Sequence, residues 1–587
     1  MAEIRQNPIW LIRIFLGNHT VRSFIIILLS SFLTGQIPLK YKENITPTYK
    51  ETIAYYKQLD DEYKTAKLFT YGLTDIGKPL HLFVISSDKK FDPDTYRSKS
   101  KCMIMINNAI HPGEPCGVDA SIEFAEDLLR NNKIPNNVII GIIPTYNIGG
   151  VLNRNSTTRA NQNGPKEYGF RGNARNLDLN RDFIKLDSEN AKSITKIFHE
   201  WKPDFFIDTH TTNGADYQYV MTLISPHPLN FSPLLPDFVK MELLPNLYSS
   251  MGSIGFPMVP YVGSERDNLE AGLRFGPNPP RYSDGYATLF NSFGFISEAH
   301  MLKTYSERVE STIALLTSML NFAKTNSNEI IKLRYRANEY LKSQEIFTLT
   351  WKSDTTKYDL INFDGYEAEY KPSKVTGYDR LFYNRDKPWT KQIPLFSYFT
   401  PGIQIAKPDY YVLPQAWNEV IERLKLNNIE FTRLSKDTII TGEMYIIEDV
   451  ANPKVPFNGH FIHSKIELKT ITKTRQFYKD DILIPMNQVG NKYLIETLEP
   501  QARDSFFRWN FFDSILDQRE YFSPYVFEDT AEKILMNDEK LKRDFEDKKT
   551  NDEEFGKNAR EQLYYLYKRS PNFEADYRLY PIMRVME

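Results

Sequence analysis

The chain has 587 residues, more than one hydrophobic core ordinarily supports, so two or more folding regions are expected. Its charges nearly cancel, 73 Lys and Arg against 75 Asp and Glu for a net charge of −2, with no long basic run, which argues against nucleic acid as a partner. Two cysteines, Cys102 and Cys116, are too few for a disulfide framework and are expected as separate buried thiols.

The first element in chain order is an apolar run from Ser23 to Leu33, preceded by Arg22. It is shorter than the roughly 20 apolar residues a membrane span requires, and it has the character of the h-region of a secretory signal. Small residues at Thr34-Gly35 mark a cleavage region. Residues 1–36 are therefore expected to be a signal peptide, the mature protein exported to the periplasm or beyond without a membrane span. The residues ahead of the run fit translation starting at Val21.

From about 45 to 330 short apolar runs alternate with helical patterns. Met103–Ile106, Val138–Ile143, Asp204–His210 and Phe293–Glu298 are predicted strands, and Val118–Leu129, Ser188–Trp201 and 307–325 are predicted helices. This alternation predicts an α/β domain, a mixed and largely parallel sheet with helices on both faces. Beyond 340 the chain becomes rich in Thr, Tyr, Phe and Pro. Residues 340–587 are expected to form a β-rich α+β accessory region, with a helix carrying Val420, Ile421 and Leu424 after Pro414 and a charged, helical tail from Glu528 to Tyr567.

Three predicted strands end in groups that carry chemistry. His111 and Glu114 follow the strand Met103–Ile106 at a spacing that offers an imidazole and a carboxylate to one metal ion. His210 closes a second strand and is the natural third ligand of a catalytic zinc, which commonly takes three protein ligands and keeps a fourth position for water. Glu298 closes a third and is placed to move a proton between water and a leaving group. Between them lie Thr158-Arg159-Ala160-Asn161 and Asp178-Leu179-Asn180-Arg181. An Asn-Arg pair suits a free carboxylate, and Asp178 can fix the tautomer of a ligating histidine. His460 and His463, three apart with no neighbouring carboxylate or Cys pattern, are expected at the surface.

In this order the motifs resemble the zinc metallocarboxypeptidases of the carboxypeptidase A type, over roughly residues 45 to 325. Pro47-Thr48-Tyr49 and Gly72-x-x-Asp75-x-Gly77-Lys78-Pro79-Leu80 are similar to that family's first helix and first hairpin, and long bacterial members resemble this chain in carrying an extension. The resemblance implies one Zn2+ held by His111, Glu114 and His210, with Asp178 orienting His111 and Glu298 as general base and later acid. It implies that Arg159, preferred over Arg154, steadies the oxyanion, and that Asn180 and Arg181 hold the terminal carboxylate of a peptide substrate. The chain departs from the pattern at Gly113, where the digestive enzymes carry an arginine. It also carries an insert, Tyr168–Arg175, expected to rim the cleft. Tyr282 and Tyr286 are both candidates for the family's mobile tyrosine, and Arg281 for a further carboxylate contact. Two other readings remain: a zinc amidase or endopeptidase acting on cell-wall peptides or N-acyl amino acids, and a non-catalytic binding protein on the same scaffold.

Overall fold

A computed structural model describes residues 38–263 and 268–586. The export signal expected over 1–36, and the start at Val21, lie outside them. Among the described residues, the N-terminal half holds nine strands: β1 (Ala66–Leu73), β2 (Pro79–Ile85), β3 (Cys102–Asn107), β4 (Val138–Ile143), β5 (Phe205–Thr211), β6 (Met221–Ile224), β7 (Met258–Pro260), β8 (Leu273–Arg274) and β9 (Phe293–Ala299). All but β8 form one sheet in the order β1-β2-β4-β3-β5-β9-β6-β7. Its centre, β4-β3-β5-β9, is parallel. The hairpin β1-β2 and strand β6 pair antiparallel at its flanks. β3, β4, β5 and β9 are buried along their whole length, which is why β4 and most of β3 are continuous apolar runs and β5 and β9 begin as apolar runs rather than alternating ones.

Helices cover both faces. Tyr49–Glu62 starts with a capping box in which Thr48 and Glu51 satisfy each other's backbone N–H. Cys116–Arg130 packs along the long helix Tyr305–Ser343, while Glu189–Trp201 and Ser283–Leu289 cover other parts of the sheet. The closing helix expected over 307–325 thus extends to Ser343. Ile330, Ala337 and Leu341 are buried in its added turns, and the Asn491 side-chain amide donates to the Leu341 carbonyl, so the extension is supported by the C-terminal half. Cys102 and Cys116 are separate, buried thiols.

The C-terminal half is β-rich, as expected. Tyr410–Leu413, Thr432–Arg433, Thr438–Ala451, Lys465–Phe477, Ile482–Pro485 and Met583–Val585 form an antiparallel six-stranded sheet. A long hairpin, Asp359–Pro372 with Asp379–Phe396, reaches back to pair with β8. One hydrophobic cluster extends from Leu80 and Met103 through Leu341 to Trp509 and Ile582, and the chain from Leu39 onward forms one compact unit. Helices within 524–567 carry a small core of their own around Phe527, Phe545 and Leu563.

His460 and His463 depart from expectation. His463 is fully buried, with Asp513 2.8 Å from its Nε2, and His460 Nε2 lies 2.8 Å from Asp187 with its ring against Trp509. Their carboxylate partners lie 50 and 273 positions away in the chain, beyond the reach of local pattern. No helix among the described residues is long and apolar enough to cross a membrane.

Candidate metal centre and active site

The site gathers at the carboxyl ends of β3, β5 and β9, where an open parallel sheet leaves loops free to carry chemistry. After β3 the backbone turns sharply. Ala109, a non-glycine residue, holds φ +56°, a strained setting that its neighbours fix, since the carbonyls of Asn108 and Ala109 accept from Tyr146 and Asn147 N–H. A hydrogen bond from Glu114 N–H to the His111 carbonyl, 2.9 Å, then folds the two side chains together before the helix Cys116–Arg130 begins. His210 lies on β5 directly opposite Glu298 on β9. Two residues distant in sequence are thereby neighbours by strand register alone.

His111 Nδ1 lies 3.4 Å and His210 Nδ1 3.1 Å from Glu114 Oε2, the imidazoles edge to face with centroids 4.8 Å apart. One ligand atom from each of the three residues lies within 4.8 Å of the others. The outward nitrogens are also engaged: His111 Nε2 is 2.9 Å from Asp178 Oδ1 and His210 Nε2 3.0 Å from Asp208 Oδ2. Carboxylates behind both rings set the Nδ1 lone pairs inward, the arrangement that makes imidazole a good metal ligand. Burial works to raise the Glu114 and Asp178 carboxyls. It is outweighed by Arg159 and the histidines at Glu114, and by His111, Arg171 and Arg181 at Asp178, so both stay well below the usual carboxylate range. His210, disfavoured as a cation by burial, is nonetheless pulled well up by Asp208 and Glu114. The cluster is built for positive charge, and a soft-to-borderline divalent ion with N and O ligands fits it.

Glu298 differs. Burial, reinforced by Glu114 and opposed by His210, Arg171 and Arg159, pushes its carboxyl up to about 8. The neighbouring cations act against that rise, and a divalent ion on the adjacent ligands would add to them, favouring the carboxylate form that can accept a proton.

Two guanidiniums border the cluster. Arg159 Nη2 donates to Glu114 Oε1 at 2.7 Å and its Nε to Gln162, leaving the side chain 17% exposed. Arg171, from the insert expected only to rim the cleft, grips Asp178 Oδ2 through Nε and Nη2 at 3.0 and 2.9 Å. It reaches to 3.5 Å from Glu114 Oε1 and stays 42% exposed. Asn180 turns its carbonyl oxygen to the Ser283 N–H, 3.0 Å, and Arg181 stacks on the Tyr282 ring at 4.4 Å.

Other candidates fall away from the site. Arg154 is bound to the Thr46 and Pro47 carbonyls and to Glu167. Arg281 pairs with buried Asp504 at 2.8 Å. Tyr286 is a core residue hydrogen-bonded to Asn427 and His199. Tyr261 was not anticipated: its phenol is driven up first by the charge of Glu298 and then by burial, which places it in the field of the site. Asn458, from the C-terminal half, accepts from Asp178 N–H at 2.8 Å and donates to its carbonyl at 3.3 Å.

Residues 52–213 match the family of zinc carboxypeptidases. The matched segment contains His111, Glu114, Asp178 and His210, and the chain is accordingly an enzyme of the metallocarboxypeptidase class. It is similar to carboxypeptidase 2 of Trichophyton rubrum, 21% identical over 435 residues that cover 70% of this chain and 74% of that one. It is similar also to carboxypeptidase 2 of Trichophyton tonsurans, at 22% over the same shares. Among solved structures, carboxypeptidase A of Helicoverpa armigera aligns at 15% identity and a TM-score of 0.34, covering 50% of this chain and 74% of that one.

Proposed function

We propose that the protein is an exported exopeptidase that removes the C-terminal residue of peptides by zinc-assisted hydrolysis. The observation that carries this reading is the convergence of His111, Glu114 and His210 beside Glu298, with the Asn180-Arg181 pair tied to the same cluster through Asp178. Zinc bound there would supply Lewis acidity, lowering the pKa of a water and polarising the scissile carbonyl. Glu298 accepts a proton from the attacking water on a carboxylate oxygen and passes it to the leaving nitrogen. Arg171 is the better oxyanion group: it is the more open of the two guanidiniums, and its Asp178 grip holds it aimed before the charge develops. Arg159 braces Glu114. Arg181, its guanidinium plane supported by Tyr282, holds the terminal carboxylate with Asn180.

The test is hydrolysis of matched peptides with free and amidated C termini by zinc-loaded protein. Free acids should be cleaved far better, and Arg181→Ala should raise their KM and narrow the difference. Equal cleavage of both forms by the wild-type protein favours the amidase reading and ends the exopeptidase one. Glu298→Gln should keep zinc and lose about 10²–10⁴-fold in turnover.

A further inference from the structure

The loop that supplies Arg159 also builds one wall of a cavity of about 190 Å3, lined by Thr158, Arg159, Asn161, Thr212, Asn213 and Met301. Thr212 and Asn213 follow directly on the end of β5, so the other wall is continuous with the strand that carries His210. Among the described residues that line it, the one formal charge is the Arg159 cation. The Asn161 amide donates to the Asn213 carbonyl oxygen at 3.1 Å, joining the two walls.

The backbone makes room for this arrangement at Gly113. A Cβ there would stand 2.9 Å from Arg159 Cδ and 3.2 Å from its Cγ and Nε. The stem of Arg159 lies across the Gly113 backbone, so its cation reaches the site from a different loop. The Asn180-Arg181 pair is connected to the cluster through Asp178 and His111. The cavity is connected through Arg159 and Glu114. A peptide with its terminal carboxylate at the first and its scissile carbonyl at the ligands runs its preceding residue toward the second.

We propose that this cavity is the subsite for the residue that precedes the scissile bond, and that it selects an acidic side chain there. The inference rests on the exopeptidase reading. A guanidinium has five N–H donors, of which Arg159 directs Nη2 to Glu114 and Nε to Gln162, so the remaining donors are those open to a substrate carboxylate, and the Asn161 and Asn213 amides and Thr158 hydroxyl add neutral polar groups. A site built to hydrogen-bond a side chain discriminates against one that cannot return the bonds more strongly than an apolar pocket discriminates by size.

The experiment measures kcat/KM of the zinc-loaded full chain on acylated peptides with one common C-terminal residue, varying only the residue before it among Glu, Leu and Lys. Glu should exceed Leu by about tenfold, with Lys the poorest, and the Glu advantage should shrink as salt rises. Asn161 is exposed, so substitution there spares the core. Asn161→Asp should lower the Glu substrate and lift Lys, and Asn161→Leu should narrow the Glu-to-Leu ratio. Zinc-dependent release of the terminal residue with no preference, or with Lys preferred by the wild-type protein, overturns the subsite alone. Release from no peptide of the set overturns the exopeptidase reading with it.

Discussion

Asp208→Asn tests whether the carboxylate behind His210 tunes the metal site. Asp208 is fully buried and its Oδ2 stands 3.0 Å from His210 Nε2, while its Oδ1 accepts from Asn107 at 3.1 Å. A carboxamide preserves shape, so the substitution removes the charge facing the ring and little else. An ionised partner contributes about 1.5–3 kcal/mol against about 0.5–1.5 for a neutral one. The difference, about 1–2 kcal/mol, corresponds to roughly 5–30-fold in an equilibrium constant. Full burial on both sides puts the expectation at the upper end, within the roughly 10–100-fold commonly lost with such partners.

The assay is zinc competition against a chromophoric chelator, with the melting temperature of the EDTA-treated variant as a check on folding. Zinc affinity should fall about tenfold or more while the apoprotein melts close to wild type. Asp178→Asn acts on His111 by the same argument, but Asp178 also holds Arg171 and the Asn180 N–H. That variant should therefore lose kcat/KM beyond what restored zinc saturation returns, whereas Asp208→Asn should recover once saturated. An Asp208→Asn protein that binds zinc within twofold of wild type refutes the reasoning.

Two further outcomes follow from the same geometry. Arg171→Ala should lower kcat by about 10²–10³-fold with zinc retained, the usual cost of losing an oxyanion donor, and Arg159→Ala should instead loosen Glu114 and weaken zinc binding; steady-state kinetics at saturating zinc separates them. Asp119 is buried with Tyr305 and Thr46 donating to it, and burial pushes its carboxyl up to about 7. Because the folded form binds its proton more tightly than an unfolded carboxyl near 3.9, its contribution to stability is full below about pH 4 and is lost as pH rises through about 7. Asp119→Asn should flatten that decline, read as melting temperature against pH in EDTA so that metal loss does not enter.

The convergence of His111, Glu114 and His210 was legible in the sequence because His210 sits near the end of one buried strand and His111 and Glu114 follow the end of another. A run such as Phe205-Phe206-Ile207 followed by Asp208-Thr209-His210 carries both its burial and its terminus in its composition. The role of Asp208 was also written there, since residues two apart on a strand share a face, but Asp178 in its Leu-Asn-Arg context drew the only orienting role. Arg171 was hidden for a different reason: Gly169 and Gly172 around it have the composition of a loop, and only the folded chain shows that loop turned inward onto Asp178. The β-rich character of the C-terminal half was legible, but its reach to the site was not, because its contacts there, Asn458 to Asp178 and Arg385 to Asp216, span 280 and 169 positions.

Those contacts bear on why the extension is continuous with the enzyme. Asp178 orients His111, aims Arg171 and caps the turn that presents Asn180 and Arg181. Its backbone is held on both sides by Asn458. On the other flank the hairpin 359–396 pairs Gly365 with Tyr217 and sets Arg385 on Asp216, whose neighbour His300 stands two residues beyond Glu298. Among the described residues, the C-terminal half thus touches the groups behind His111 and beside Glu298 without placing a side chain in the His111-Glu114-His210 cluster. A shared hydrophobic core makes those supports rigid, and rigidity within a few tenths of an ångström is what a ligand set and a proton acceptor need from the groups behind them.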